Sequence, residues 1–87
     1  LKTKIMKQLL YFSAPWCGPC KSFGPTMDRV ASEGIPVSKI NIDYDATSPA
    51  KYSIKSVPTV VLTENGQEVK RFVGVKSHQE VINFYNG

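Results

Sequence analysis

The chain has 87 residues, 41% hydrophobic and 21% charged, with two cysteines and a formal net charge of +4. A chain of this length holds one small domain with a single thin core, so residues 1–87 are expected to fold as one unit; its ordinary apolar and charged fractions exclude a disordered chain or a disulfide-dense secreted scaffold. Neither a bilayer nor a nucleic acid is an expected partner, because no apolar run nears the roughly 20 residues of a membrane span, Leu1–Lys7 lacks a signal-peptide apolar block, and the lysines form no base-reading cluster.

Leu1–Lys7 mixes Lys2, Lys4 and Lys7 with Ile5 and Met6 and receives no assignment. Gln8–Ser13 (QLLYFS) is a short apolar run ahead of Pro15, the pattern of a strand buried on both faces. It leads directly into Trp16-Cys17-Gly18-Pro19-Cys20. From Gly18 to Glu33 the residues Phe23, Met27, Val30 and Ala31 fall at i, i+4, i+7 and i+8, one face of a helix, with Gly34 in the C-cap place. Pro19 suits the first turn, where amides are spare, whereas Pro25 inside the helix is expected to kink it.

Ile35–Ile42 (IPVSKINI) reads as a second strand. Ser48 is expected to cap a short helix that begins at Pro49 and runs to about Ser53. Thr59–Thr63 and Gln67–Val73 are strands joined by the two-residue turn Asn65-Gly66, an antiparallel hairpin. In the second of them Val69, Arg71 and Val73 alternate with Glu68, Lys70 and Phe72. Gly74 breaks that strand, Ser77 and Glu80 form a capping box, and Val81, Ile82 and Tyr85 face inward from a last helix. The order is β-α-β-α-β-β-α: an α/β fold with a βαβ unit, normally parallel, followed by an antiparallel pair.

The chemistry lies in the cysteine pair. Positions i and i+3 of a helix have Cα atoms about 5 Å apart, inside the window a disulfide needs, so Cys17 and Cys20 can join and part with little backbone motion. A ring so small adds only about 2 kcal/mol of stability, a weak reason for a purely structural bridge. Only the thiolate reacts, and an unperturbed cysteine is about 3% ionised at pH 7. Cys17 stands at the positive end of the helix, whose dipole lowers its pKa by up to about 1.5 units. Cys17 is therefore the candidate nucleophile and Cys20 the resolving thiol. Zinc is the rival ligand for paired cysteines, but it wants three or four protein ligands. Only His78 remains, and it reads as a solvated first-turn residue; no metal site is expected.

Trp16-Cys17-Gly18-Pro19-Cys20-Lys21 resembles the signature of the thioredoxin family, and the likeness continues through Pro25, Lys39-Ile40-Asn41-Ile42-Asp43, Ser56-Val57-Pro58-Thr59, Asn65-Gly66 and Phe72-Val73-Gly74. It covers about Gln8–Gly87. The resemblance implies a cis Pro58 beside the cysteines and a docking surface made by Trp16, Gly18, Pro19, Val57, Pro58 and Gly74, with Val57 offering its backbone to an extended substrate. It implies a cytoplasmic, monomeric protein-disulfide reductase without a bound cofactor other than its own disulfide. Its substrates would be protein disulfides, that of ribonucleotide reductase among them, and a thioredoxin reductase would supply the electrons.

Two departures from the family stand out. Thioredoxins carry a further strand and helix before the strand that feeds the motif, and too few residues precede Gln8 to build them. The expected product is a minimal thioredoxin fold, a four-stranded mixed sheet with three helices. Tyr11 stands where the family has a buried aspartate that takes the proton of the resolving cysteine; a phenol with a pKa near 10 is a poor base at pH 7. Tyr11 and Lys39, the aspartate's usual partner, are thus candidates for tuning that proton transfer, with Lys39 expected to turn outward. Two other readings stay open. Ser13-Ala14-Pro15 is similar to a glutaredoxin lead-in, and thioredoxins also serve as redox-independent binding subunits of larger enzymes.

Overall fold

In β1 (Lys7–Ser13) four successive side chains, Leu9 to Phe12, are buried. Successive strand residues point to opposite faces, so such a strand must be covered on both sides. Leu9 and Tyr11 pack with Phe23, Met27, Val30 and Val81, while Leu10 and Phe12 pack with Tyr52 and Val61. At about 1.5 to 3 kcal/mol per large apolar side chain, these four contribute on the order of 10 kcal/mol before conformational entropy is subtracted.

The computed structural model describes residues 6–87; Leu1–Ile5, left unassigned above and carrying Lys2 and Lys4, lie outside the described residues. After β1 come α1 (Gly18–Ser32), β2 (Val37–Asn41), α2 (Thr47–Lys51), β3 (Thr59–Glu64), β4 (Gln67–Val73) and α3 (His78–Asn86). The sheet order is β2-β1-β3-β4, with β1 parallel to β2 and antiparallel to β3, and β3 antiparallel to β4. Side chains of α1 and α3 fill the core on one face of the sheet, and Tyr52, just after α2, lies on the other. This is the minimal α/β topology expected from the element order, four strands and three helices.

Local sequence signals account for most of the boundaries. Asn65 and Gly66 both take positive φ, 54° and 81°, the left-handed pair a two-residue hairpin turn demands. At α3 the Ser77 side chain accepts the Glu80 amide while the Glu80 carboxylate accepts the Ser77 amide. Pro25 lies within α1, which continues through it to Ser32.

Three expectations are corrected. Ser48 does not cap α2: the helix starts at Thr47 after Ala46, and the Asp45 carboxylate, further upstream, accepts the amides of Thr47 and Ser48. A carboxylate that reaches two orphan amides outcompetes a serine hydroxyl for the helix start. Ala31 is exposed, so the buried face of α1 is carried by Cys20, Phe23, Met27 and Val30. His78 is not simply solvated, because its Nε2 lies 2.5 Å from the Glu33 carboxylate at the far end of α1. In β4 the buried side chain is Phe72, while Val69 and Val73 face solvent.

Candidate active site

The parallel pair β1 and β2 ends in register, Ser13 opposite Asn41, so the loops that follow leave the sheet at the same end. The loop after β1 turns tightly, the Cys17 amide donating to the Ala14 carbonyl at 3.1 Å. Cys17 becomes the N-cap of α1 with extended backbone, and its sulfur accepts the Cys20 amide at 3.2 Å. Caps are usually oxygens; here sulfur takes the place. The first turn holds Pro19 and no acidic residue, so the positive end of the helix dipole has no carboxylate to neutralise it.

Cys17 and Cys20 are disulfide-bonded with Cα atoms 5.2 Å apart. Each residue is 5% exposed, so overall burial does not tell the two cysteines apart. Their neighbours do. The Cys17 sulfur lies 3.7 Å from the Val57 carbonyl oxygen, a contact that becomes a hydrogen bond when the cysteine is a thiol. Val57–Pro58 is a cis peptide bond, and Ala14, Ile42 and Val57 pack around the pair. The Gly74 amide donates to the Pro58 carbonyl at 2.9 Å, tying the end of β4 to this turn. Gly74 has φ of 95°, a conformation that favours glycine.

Trp16 is two-thirds exposed and its indole N–H donates to Asp43 Oδ1 at 3.2 Å. Beneath the cysteines the Tyr11 hydroxyl donates to the Cys20 carbonyl at 3.0 Å. Burial pushes the Tyr11 phenol up from its ordinary value, against a smaller opposite effect of Ser13. Tyr11 is thus neutral and a donor near pH 7. Lys39 turns outward, its ammonium 2.6 Å from the exposed Asp28 carboxylate. Between them an open cavity of about 260 Å³ is lined by Tyr11, Ser13, Cys20, Lys39 and Asn41, among others.

The structure therefore brings together Trp16, Cys17, Gly18, Pro19, Cys20, Val57, Pro58 and Gly74, with Tyr11 below and Lys39 directed away. Asp43 was missed by the sequence reading. It stood within the Lys39–Asp43 stretch that carries the family resemblance, but nothing there pointed to a role, because the partner it holds is 27 residues away. Among the described residues no group of three or more His, Cys, Asp or Glu side chains is arranged to hold a metal. His78 pairs at the C-terminal end of a 15-residue helix whose N-terminus carries the cysteines, a separation of about 22 Å.

A redox-active cysteine pair at a helix N-terminus, faced by a cis-proline turn on a mixed sheet, defines a dithiol–disulfide oxidoreductase. The thioredoxin family model matches residues 1–86, and the chain belongs to the thioredoxin family. It is 41% identical over 81 residues to a thioredoxin of Haemophilus influenzae, covering 90% of this chain and 76% of that protein. With a thioredoxin of Chlamydia pneumoniae it shares 38% identity over 80 residues, covering 90% and 78% of the two chains. Among solved structures, a mutant thioredoxin from Halobacterium salinarum superposes with a TM-score of 0.85 at 30% identity, covering 92% of this chain and 72% of that one. The chain spans about three quarters of the length of the curated relatives it matches.

Proposed function

We propose that this chain, as a single thioredoxin-like domain, reduces disulfides in protein substrates, with Cys17 as the attacking thiol and Cys20 as the resolving one. The observation that carries this reading is the position of the Cys17 sulfur: it caps α1, accepts the Cys20 amide at 3.2 Å and faces the Val57 carbonyl at 3.7 Å. A thiolate there gains from the helix dipole, up to about 2 kcal/mol in favourable geometry. In the reduced protein the Cys17 thiolate attacks one sulfur of the substrate disulfide. A mixed disulfide forms, and the other substrate sulfur leaves and is protonated by water. Cys20 then loses its proton and attacks the Cys17 sulfur, which releases the second substrate sulfur and forms the Cys17–Cys20 bond. Two electrons pass to the substrate.

An extended substrate segment lies across Trp16, Gly18, Pro19, Pro58 and Gly74, with the Val57 backbone alongside. Tyr11 anchors the Cys20 backbone and takes no proton, while Lys39 is held by Asp28; the proton of Cys20 passes to water in the open cavity. A thioredoxin reductase returns the electrons, and the protein works as a cytoplasmic monomer on protein disulfides, that of ribonucleotide reductase among them. No helix among the described residues is long and apolar enough to cross a membrane. The test is turnover of a protein disulfide with NADPH and a thioredoxin reductase. Turnover with glutathione and glutathione reductase instead moves the reading to a glutaredoxin-like protein.

A further inference from the structure

Tyr44 is 88% exposed. The other three tyrosines each donate a hydroxyl hydrogen bond to a backbone carbonyl: Tyr11 to Cys20, Tyr52 to Gly66 and Tyr85 to Lys7. Among the described residues the Tyr44 hydroxyl has no partner, so neither ring nor hydroxyl serves the fold. Yet the backbone beneath it is held firmly. Its amide and that of Asp45 both donate to the Asn41 carbonyl at 3.0 Å, the Asp43 amide donates to the Asn41 side chain at 2.9 Å, and the Asp45 carboxylate accepts the Thr47 and Ser48 amides at the start of α2. A bulky aromatic on a preorganised loop loses little entropy on binding and is the kind of side chain that anchors interfaces.

Its place is equally telling. Ile42 packs against the cysteine pair, and Tyr44 follows two residues later, within about 7 Å along the backbone. Between them Asp43 holds the exposed Trp16 indole. Tyr44 is flanked in sequence by Asp43 and Asp45, an acidic stretch in a chain of net charge +4. The Asp45 carboxyl is held below its ordinary range chiefly by the backbone amide of Ser48, so it remains ionised near neutrality. A basic side chain is repelled by the overall charge of the protein and attracted at this loop.

We infer that Tyr44 is a specificity-determining residue of the substrate surface, which receives a lysine or arginine side chain of the substrate polypeptide close to its reactive cysteine. The cation lies on the Tyr44 ring, with the Asp43 and Asp45 charges beside it. This subsite rests on the disulfide-exchange reading above.

Two disulfide-linked peptides, identical except for Arg or Glu two residues from the reactive cysteine, are turned over by the reduced wild-type chain and by Tyr44→Ser and Tyr44→Phe. Wild type is expected to favour the Arg peptide in kcat/KM. Tyr44→Ser is expected to lower that preference by about two- to fivefold, the range of an exposed cation–π contact, and Tyr44→Phe to keep it. Equal use of both peptides by wild type overturns the inference. So does an unchanged preference in Tyr44→Ser, or a preference lost equally in Tyr44→Phe. Turnover of neither peptide by wild type removes the exchange reading as well, which separates the two failures.

Discussion

Two helices of this chain begin in contrasting ways. At α3 the Ser77 oxygen and the Glu80 carboxylate close a capping box, and the negative charge sits where the dipole wants it. At α1 the cap is the sulfur of Cys17 and the first turn has no carboxylate. The same orphan amides exist at both ends. One end is closed for stability; the other leaves its positive potential to the thiolate. The difference teaches that, on the exchange reading proposed above, the stabilisation of the Cys17 thiolate comes from withholding an ordinary capping device.

The sharpest test of the comparison is chemical. Cys17→Ser places an ordinary oxygen cap on α1 and is expected to abolish disulfide exchange, whereas Cys20→Ser is expected to stop at a covalent substrate complex, detected by non-reducing gel or mass spectrometry. Trapping by Cys17→Ser would reverse the assignment of the two ends. Next in size is the base beneath Cys20. Tyr11→Asp introduces a carboxylate near the resolving thiol and is expected to speed decay of the mixed disulfide near neutral pH, on the order of tenfold. An unchanged decay rate in stopped-flow would show that water already takes the proton without limiting the step.

Smaller effects probe the two caps themselves. Ser77→Ala is expected to lower stability to urea by about 1 kcal/mol without moving the redox potential of the cysteine pair. Lys21→Glu gives α1 the acidic first turn that α3 already has. It is expected to raise the Cys17 pKa by about 0.2 to 0.7 units, read from thiolate absorbance, and less at high salt. The smallest effect is the pH dependence of the closed end. The Ser77 amide, chief among several contacts, holds the Glu80 carboxyl below its ordinary value. Its folded pKa is depressed, so its stabilisation is fully present above the unfolded value of about 4.3 and is lost as pH falls through the folded value. Urea titrations from pH 7 to pH 3 should therefore show a low-pH loss that is smaller in Glu80→Gln.

Much of this was legible in the sequence because it rests on short-range geometry. The i, i+3 spacing of Cys17 and Cys20, the Asn65-Gly66 turn, the Ser77–Glu80 box and the doubly buried run of β1 each depend on neighbours a few residues away. The same reasoning failed at α2, where Ser48 and Asp45 both suit a cap and only the path of the loop out of β2 decides between them. It failed also at Ala31, whose place on the apolar stripe does not say how far the opposing surface extends.

By itself, then, the sequence determined the reactive pair, its place at a helix start and the order of elements, since each follows from backbone periodicity and local hydrogen bonding. The tertiary structure alone decided that the Val57 carbonyl faces the Cys17 sulfur and that Asp43 holds Trp16. It also supplied Asp28 as the partner of the outward-turned Lys39 and left Tyr44 outside the fold. Those relations join residues 11 to 40 positions apart, and nothing local specifies them. They arise when the buried faces of β1 bring the ends of β1 and β2 and the turn before β3 to one end of the sheet.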